Sequence, residues 1–349
     1  MTEDNKYISR CLKIAENGLG NVAPNPLVGC VITNNGVIIG EGYHKEFGGP
    51  HAEVNAINSV KNPELLKEST LYVNLEPCSH FGKTPPCSEL IIKTGIPKVM
   101  IGTIDPFEKV SGRGIKKMEE AGIIVKSGIL EKECRFLNRR FLTFHEEKRP
   151  YIILKWAQSV NGFIGNNNTT NTQAKPVWIT DDKLRSLVHK WRSEEQAIMV
   201  GTNTALHDNP ELNVREWKGK DPLRIVLDQH LRLPGHLHIF NKKIKTLVFT
   251  SANSARSNST NLEYFSIDFG SKIVKEICDA LYTKNIQSLF VEGGSRLLQT
   301  FINEGLWDEA RIFTGNKVLP EGVKAPEING KLFSEMEFGK DKLRFISNQ

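Results

Sequence analysis

The amino-acid sequence predicts an α/β protein built as two domains, residues 1–148 and 149–349. Three observations carry this. The chain has 349 residues, more than one hydrophobic core ordinarily organises. Strand-like apolar runs alternate with helical periodicity through both halves. Residues 135–148 are charged and helix-prone, and Arg149-Pro150 breaks that pattern before a fresh strand begins.

The elements follow in order. Tyr7, Ile8, Cys11, Leu12, Ala15 and Leu19 recur at helical spacing, and Gly18 to Gly20 close that helix. Runs 28–33 and 37–42 are strand-like and flank Asn34-Asn35-Gly36, where Asn-Gly supplies the positive φ that a tight hairpin demands. Residues 51–60 read as a helix after the breaker Gly48-Gly49-Pro50. Strands are expected at 70–75 and 98–102 around a helix at 88–93, then a helix at 114–121 and a strand at 123–125. In the second half, strands are expected at 151–157, 197–201, 223–227, 245–250 and 288–291, and helices at 181–193, 271–282 and 295–304. Residues 251–261, rich in Ser and Asn, read as an exposed loop. The chain carries no internal repeat.

Composition narrows the class. With 39% hydrophobic and 25% charged residues the chain is an ordinary globular one. Its net charge of +6 is scattered, which suits phosphorylated small molecules and equally nucleic acid. The polar, partly acidic first residues lack the basic flank and apolar run of a signal peptide, and no run approaches the ~18 apolar residues of a membrane span. A cytoplasmic location is expected. Six cysteines in this length do not make a disulfide framework. Cys11, Cys30, Cys134 and Cys278 are expected as small buried hydrophobes, whereas Cys78 and Cys87 stand in a different context.

That context is His51-Ala52-Glu53, then Pro77-Cys78, then Cys87. Zinc deaminases carry an H-x-E…P-C-x-x-C signature. One imidazole and two thiolates fill three tetrahedral positions on zinc and leave the fourth for water, whose pKa the metal lowers. A carboxylate beside the metal, not bound to it, must shuttle the proton, and Glu53 is so placed. The second pair departs from the pattern, since residues 79–86 separate the cysteines. That Pro- and Gly-punctuated insert is able to loop out. The alternatives are unrelated buried cysteines, or a structural zinc site closed by His44 or His80, which would have no use for Glu53.

The runs Ala23-Pro24-Asn25-Pro26-Leu27-Val28-Gly29-Cys30, Gly49-Pro50-His51-Ala52-Glu53-Val54-Asn55-Ala56 and Glu76-Pro77-Cys78-Ser79-His80-Phe81-Gly82-Lys83-Thr84-Pro85-Pro86-Cys87 resemble the bifunctional deaminase–reductase of riboflavin biosynthesis, a family in which the long insert is normal. The resemblance implies a cytidine-deaminase-like α/β/α domain followed by a dihydrofolate-reductase-like domain. It implies deamination of a diaminopyrimidinone ribotide, with Asn25, His44, His80, Lys83 and Asp105 lining the substrate pocket. Phe107 stands where the family usually has Asn.

The second half is less explicit by itself. Alternation puts Lys155 on the face of Tyr151, Ile153 and Ala157, where its charge needs a phosphate, a substrate carbonyl, or an edge strand from which it snorkels to water. The turn Glu292-Gly293-Gly294-Ser295 follows a strand and opens a helix, a weak signal for backbone contact with a pyrophosphate. By resemblance, this half uses NADPH to reduce a ribosyl group to ribityl. Ala157, Trp178, Thr204, Asp208, Gly293 and Gly294 would touch the cofactor, and Arg192, Leu212, Arg215 and Glu292 the sugar phosphate, with Lys155 beside them. Asn161 stands where Asp is usual and Pro176 where a substrate-binding Ser is common.

A competing reading is an RNA or free-nucleobase deaminase with a basic accessory domain. It calls for a basic stripe interleaved with aromatics, and the arginines here are separated instead. The partners expected are therefore a small phosphorylated pyrimidine, neither nucleic acid nor membrane, and further copies of the chain in an assembly whose size is left open. The cofactors expected are Zn2+ and NADPH.

Overall fold

Thr2 caps the first helix, α1 (Glu3–Ala15): its hydroxyl accepts the Asn5 N–H at 3.3 Å, and Glu3 and Asp4 complement the helix dipole. The computed structural model describes residues 2–79, 85–106, 112–165, 179–181, 183–251 and 257–348. The chain divides into two compact units, Met1–Lys148 and Arg149–Gln349.

In the first unit α1 is followed by β1 (Gly29–Asn34) and β2 (Val37–Tyr43), joined through Asn35 and Gly36 at φ 49° and 77°. Then come α2 (Ala52–Ser59), β3 (Thr70–Leu75), α3 (Cys87–Thr94), β4 (Lys98–Thr103), α4 (Arg113–Glu120), β5 (Ile124–Lys126), α5 (Glu131–Leu137) and α6 (Arg139–Glu146). Among the described residues one sheet forms in the order β2-β1-β3-β4-β5, antiparallel through β2-β1-β3 and parallel through β3-β4-β5. Strand alternation sorts the core. Ile32, Leu71 and Val73 pack with Ala52 and Ala56 of α2, Ile91 of α3 and Met118 of α4. Val31 and Tyr72 face the other way, onto Tyr7, Ile8 and Cys11 of α1 and Cys134 of α5. The result is three layers, helices on both faces of the sheet.

The stretch 135–148 is not one helix. It begins inside α5 and breaks at Asn138, whose side chain turns inward: Oδ1 accepts the Leu27 N–H at 2.7 Å and Nδ2 donates to the Leu27 carbonyl at 3.0 Å.

The second unit holds β6 (Tyr151–Ser159), β7 (Phe163–Gly165), α7 (Lys183–Glu194), β8 (Ala197–Val200), α8 (Thr202–Asp208), β9 (Leu223–Leu227), β10 (Thr246–Thr250), β11 (Leu262–Ser266), α9 (Ile273–Thr283), β12 (Ser288–Val291), α10 (Ser295–Asn303), β13 (Glu309–Gly315), β14 (Val323–Lys324), β15 (Lys331–Phe338) and β16 (Asp341–Ser347). Among the described residues its main sheet runs β11-β10-β9-β8-β12-β6-β13-β16-β15. It is parallel as far as β13, and the last two strands are antiparallel. Trp191 of α7 and Ala205 of α8 cover one face with Ile153, Ile198 and Phe290, while α9 and α10 cover the other with Leu154, Met199 and Val291. Buried on both faces, these strands read as continuous apolar runs, as parallel strands do. The sequence expectations did not include α8, β7, β11 or β13 to β16.

Candidate active sites

In the first unit the start of α2 and the start of α3 meet. His51 is the residue before α2 and Cys87 the first of α3, while Cys78 follows β3. Their ligand atoms all lie within 4.8 Å of one another, with Cys78 Sγ 3.6 Å and Cys87 Sγ 3.3 Å from His51 Nδ1. A tetrahedral zinc with bonds of about 2.1 Å to nitrogen and about 2.3 Å to sulfur has ligand-to-ligand edges of about 3.6 Å. The three side chains fit that frame. The Cys87 backbone N–H also donates to Cys78 Sγ at 3.3 Å. The hydrogen bond from the Cys87 thiol, with burial opposing and His51 assisting, draws the Cys78 pKa down, the direction that favours a thiolate ligand.

Glu53, in the first turn of α2, is buried and does not belong to that trio. Burial foremost, then the charge on Cys78, pushes its carboxyl up to about 7. Beside His51, with ring centroids 5.4 Å apart, His44 Nδ1 donates to the Pro50 carbonyl at 3.0 Å, which leaves Nε2 to accept Asn25 Nδ2 at 3.0 Å. Burial lowers the His44 pKa, and the nearby His51 adds to this. Asp105 is buried, and its backbone N–H donates to Glu76 Oε2 at 3.4 Å. His80, Lys83 and Phe107 lie outside the described residues.

Two strand glycines let α2 lie this close. A Cβ on Gly42 would stand 2.5 Å from the Ala56 nitrogen, and one on Gly40 would stand 2.7 Å from the Ala56 carbonyl oxygen. Sequence reasoning missed Asn74 and Glu76. Asn74, a polar residue inside the apolar β3, accepts the Gly29 N–H at 2.7 Å and donates to the Leu27 carbonyl at 2.9 Å, fixing the segment that carries Asn25. Its place in an otherwise buried strand was the available signal.

In the second unit a cavity of about 620 Å³ is lined by Lys155, Ala157, Arg192, Thr204, Asp208, Leu212, Arg215, Glu292, Gly293 and Gly294. The second-half residues expected at the cofactor or the sugar phosphate all line this cavity apart from Trp178, which lies outside the described residues with Pro176; Asn161 does not line it. Gly293 has φ 139°, a conformation open to glycine, and a Cβ on Gly294 would stand 3.0 Å from Thr204 Oγ1. Burial raises the Asp208 pKa.

Arg192 and Glu292 form one bidentate pair: Nε and Nη2 reach the two carboxylate oxygens at 2.7 Å each, and Nη1 donates to the Asn213 carbonyl at 3.1 Å. Lys155 Nζ stands 3.9 Å from Glu292 Oε2. Burial would raise Glu292, but Arg192 and then Lys155 overcome it and hold the carboxyl down to about 2. The edge-strand account of Lys155 is corrected here, since β6 lies between β12 and β13 inside the sheet and the counterion is Glu292. Arg192 is likewise less free for a ligand than its type suggested, because a carboxylate and a carbonyl already use its fork. Asn161 uses the donor that Asp would lack: Nδ2 donates to the Leu319 carbonyl at 2.7 Å, while Oδ1 accepts the Leu319 N–H at 3.2 Å.

Comparison with known proteins bears on both units. The pattern of the RibD C-terminal domain matches residues 150–345, and that of the cytidine and deoxycytidylate deaminase zinc-binding region matches 1–103. The riboflavin biosynthesis protein RibD of Aquifex aeolicus is 38% identical over 335 residues, covering 95% of this chain and 92% of that one. The chain belongs to the RibD family. The RibD protein of Actinobacillus pleuropneumoniae is 39% identical over 342 residues, 96% of this chain and 89% of that one. The crystal structure of a Thermotoga maritima diaminohydroxyphosphoribosylaminopyrimidine deaminase/5-amino-6-(5-phosphoribosylamino)uracil reductase superposes with a TM-score of 0.89 at 36% identity, covering 99% of this chain and 98% of that one. RibD of Acinetobacter baumannii gives 0.88 at 30% identity over 99% of each chain. This end-to-end similarity to RibD supports the deaminase–reductase reading over a nucleic-acid deaminase with an accessory domain.

Proposed function

We propose that this chain carries out two steps of riboflavin biosynthesis: hydrolytic deamination of 2,5-diamino-6-(5-phosphoribosylamino)pyrimidin-4(3H)-one by residues 1–148, and NADPH-dependent reduction of 5-amino-6-(5-phosphoribosylamino)uracil by residues 149–349. The observation that carries it is the meeting of His51, Cys78 and Cys87 within 4.8 Å, with a buried carboxyl at Glu53 outside the ligand trio. The members named above support it through their names and their full-length similarity.

Held by His51, Cys78 and Cys87, zinc would supply the acidity that makes water nucleophilic near neutral pH. Glu53, with a carboxyl near 7, would carry two protons in turn: the first from the water to the pyrimidine ring nitrogen, the second from the hydroxyl thereby added to the ring carbon to the amine that departs as ammonia. Asn25, oriented by His44, would pair the pyrimidine edge, and the family resemblance assigns Asp105, His80 and Lys83 to the same substrate.

In the second unit NADPH, when bound, would supply the hydride for the ribosyl carbon. The Gly293-Gly294 turn at the start of α10 would let backbone amides approach its pyrophosphate, Ala157, Thr204 and Asp208 line the same cavity, and the family resemblance assigns Trp178 to the cofactor as well. Lys155, Arg192 and Glu292 carry one net positive charge into the cavity, which suits a sugar phosphate, and Leu212 and Arg215 belong to the same end of the reading. A cytoplasmic setting fits the six free thiols. Among the described residues no helix is long and apolar enough to cross a membrane. A small-molecule partner without nucleic acid, and self-assembly of the chain, belong to the same proposal.

The test supplies the diaminopyrimidinone ribotide and NADPH to the purified chain and follows ammonia and nicotinamide absorbance. Both should change together. Zinc chelation should stop ammonia release yet spare reduction of the aminouracil ribotide. Equal loss of both activities on chelation refutes two separate sites.

A further inference from the structure

Helix α7 carries Arg185, His189 and Arg192 at spacings of four and three residues, so the three share one face, and each lines the reductase cavity. Arg192 is engaged with Glu292 and the Asn213 carbonyl. His189 is fixed by the same carbonyl, which accepts its Nδ1–H at 2.9 Å. The ring's other nitrogen, Nε2, is thereby aimed at Glu216, 4.0 Å from Oε1. Arg185 Nε lies 3.9 Å from Glu216 Oε2, and Arg215 Nε lies 3.9 Å from Oε1. Arg215 is itself oriented by Asn213, whose Oδ1 accepts its Nη1–H at 3.1 Å.

Three basic side chains therefore surround one carboxylate, and these contacts are longer than hydrogen bonds. All three bases line the cavity, while Glu216 does not. Glu216 is 31% exposed, so rotating it toward water is inexpensive. A phosphate has oxygens for both guanidinium groups, a third that shares a proton with His189 Nε2, and more charge than a carboxylate, so it would close distances that Glu216 leaves long. We propose that Arg185 and His189 complete, with Arg215, the seat of the reductase substrate's phosphate, and that Glu216 is an internal anion which that phosphate displaces. This rests on the reductase reading above.

Burial, with Arg192 and Arg215 assisting and the Asn213 carbonyl and Glu216 opposing, lowers the His189 pKa. A neutral ring with Nδ1 protonated leaves Nε2 as an acceptor for the proton of a phosphate monoanion, whereas beside a dianion the ring must itself take up that proton to donate from Nε2.

The test uses the full chain saturated with NADPH, with initial rates on the aminouracil ribotide and on its dephosphorylated riboside. His189→Asn keeps an amide N–H for the Asn213 carbonyl and removes Nε2. It and Arg185→Ala should each raise KM for the ribotide about tenfold, the worth of a charge-assisted contact, with kcat within about twofold. KM for the riboside should not follow. Glu216→Gln removes the competing charge and should lower KM for the ribotide several-fold without affecting the riboside, a gain that loss of packing would not produce. NADPH affinity, read by nicotinamide fluorescence, should be unchanged throughout. Equal losses on both substrates, or loss of NADPH binding, would assign His189 and Arg185 to the scaffold and overturn the seat. A Glu216→Gln chain with unchanged or raised ribotide KM overturns the displacement. A wild-type chain that reduces neither substrate sinks the reductase reading itself, whereas an active wild type with indifferent variants sinks only the seat.

Discussion

Replacing Arg192 by Gln should destabilise the second unit in a way that depends on pH. Glu292 is held from its ordinary 4.5 down to about 2 by Arg192 and Lys155 against the opposing effect of burial. A difference of that size corresponds to about 3 kcal/mol. Because the folded value lies below the unfolded one, this stability is complete above about pH 4.5 and is lost as pH falls through 4.5 toward 2. In Arg192→Gln the carboxylate keeps Lys155 at 3.9 Å and loses both 2.7 Å hydrogen bonds, and stranding one member of a buried pair costs about 3–5 kcal/mol. The deficit should narrow by at least about 1 kcal/mol at about pH 3.5, where the stranded carboxyl takes a proton and the wild-type one does not. All five tryptophans (Trp156, Trp178, Trp191, Trp217 and Trp307) lie in residues 149–349, so their emission during urea denaturation of the intact chain reports that unit alone. A cost below about 1 kcal/mol at pH 7, or a deficit that ignores pH, would refute the argument.

Two further outcomes concern the first unit. Glu53→Gln should keep one zinc per chain by elemental analysis and lose ammonia release by at least ~10²-fold; activity above a few per cent would remove its assigned role. Gly42→Ala places a methyl 2.5 Å from the Ala56 nitrogen and must lift α2, the helix that carries Glu53 and follows His51. A destabilisation of about 1–3 kcal/mol and weaker zinc retention are expected, with reduction by the other unit intact, and unchanged zinc retention would show that α2 accommodates the methyl.

How much of this was legible in the sequence depends on whether a residue's partner was local. The Asn34-Asn35-Gly36 turn, the breaks before α2 and at Arg149-Pro150, and the His51, Glu53, Cys78 and Cys87 constellation could be read because spacing alone implies their chemistry. The strand β13 and the β15–β16 hairpin could not. Glu309 and Arg311 interrupt the apolar run of β13, yet both are buried and joined at 2.7 Å within the strand. Exposed β15 carries little core signal, since its pairing with β16 sets it. Arg192 and Glu292 were both expected at the sugar phosphate by resemblance, but their pairing with each other, across 100 residues, was not legible.

Glu76 is the sharpest case. In sequence it is only the residue before Pro77-Cys78, and in space its carboxylate accepts backbone N–H groups of Asp105, Gly112, Gly114 and Ile115 at 2.9–3.4 Å. It ties the start of α4 and the Asp105 segment to the chain that presents Cys78, and Gly114 approaches so closely that a Cβ there would stand 2.3 Å from the Pro77 carbonyl oxygen. Glu76→Gln keeps the shape but turns an N–H2 toward backbone donors that then have no acceptor, at about 1–3 kcal/mol for each group left unsatisfied. If the carboxylate sets the position of Cys78, the variant should hold zinc about tenfold more weakly in competition with a chelator of known affinity, as changes just outside a metal's ligands do. Wild-type zinc affinity in Glu76→Gln would confine Glu76 to capping α4 and leave the ligand geometry to β3 and α3 alone.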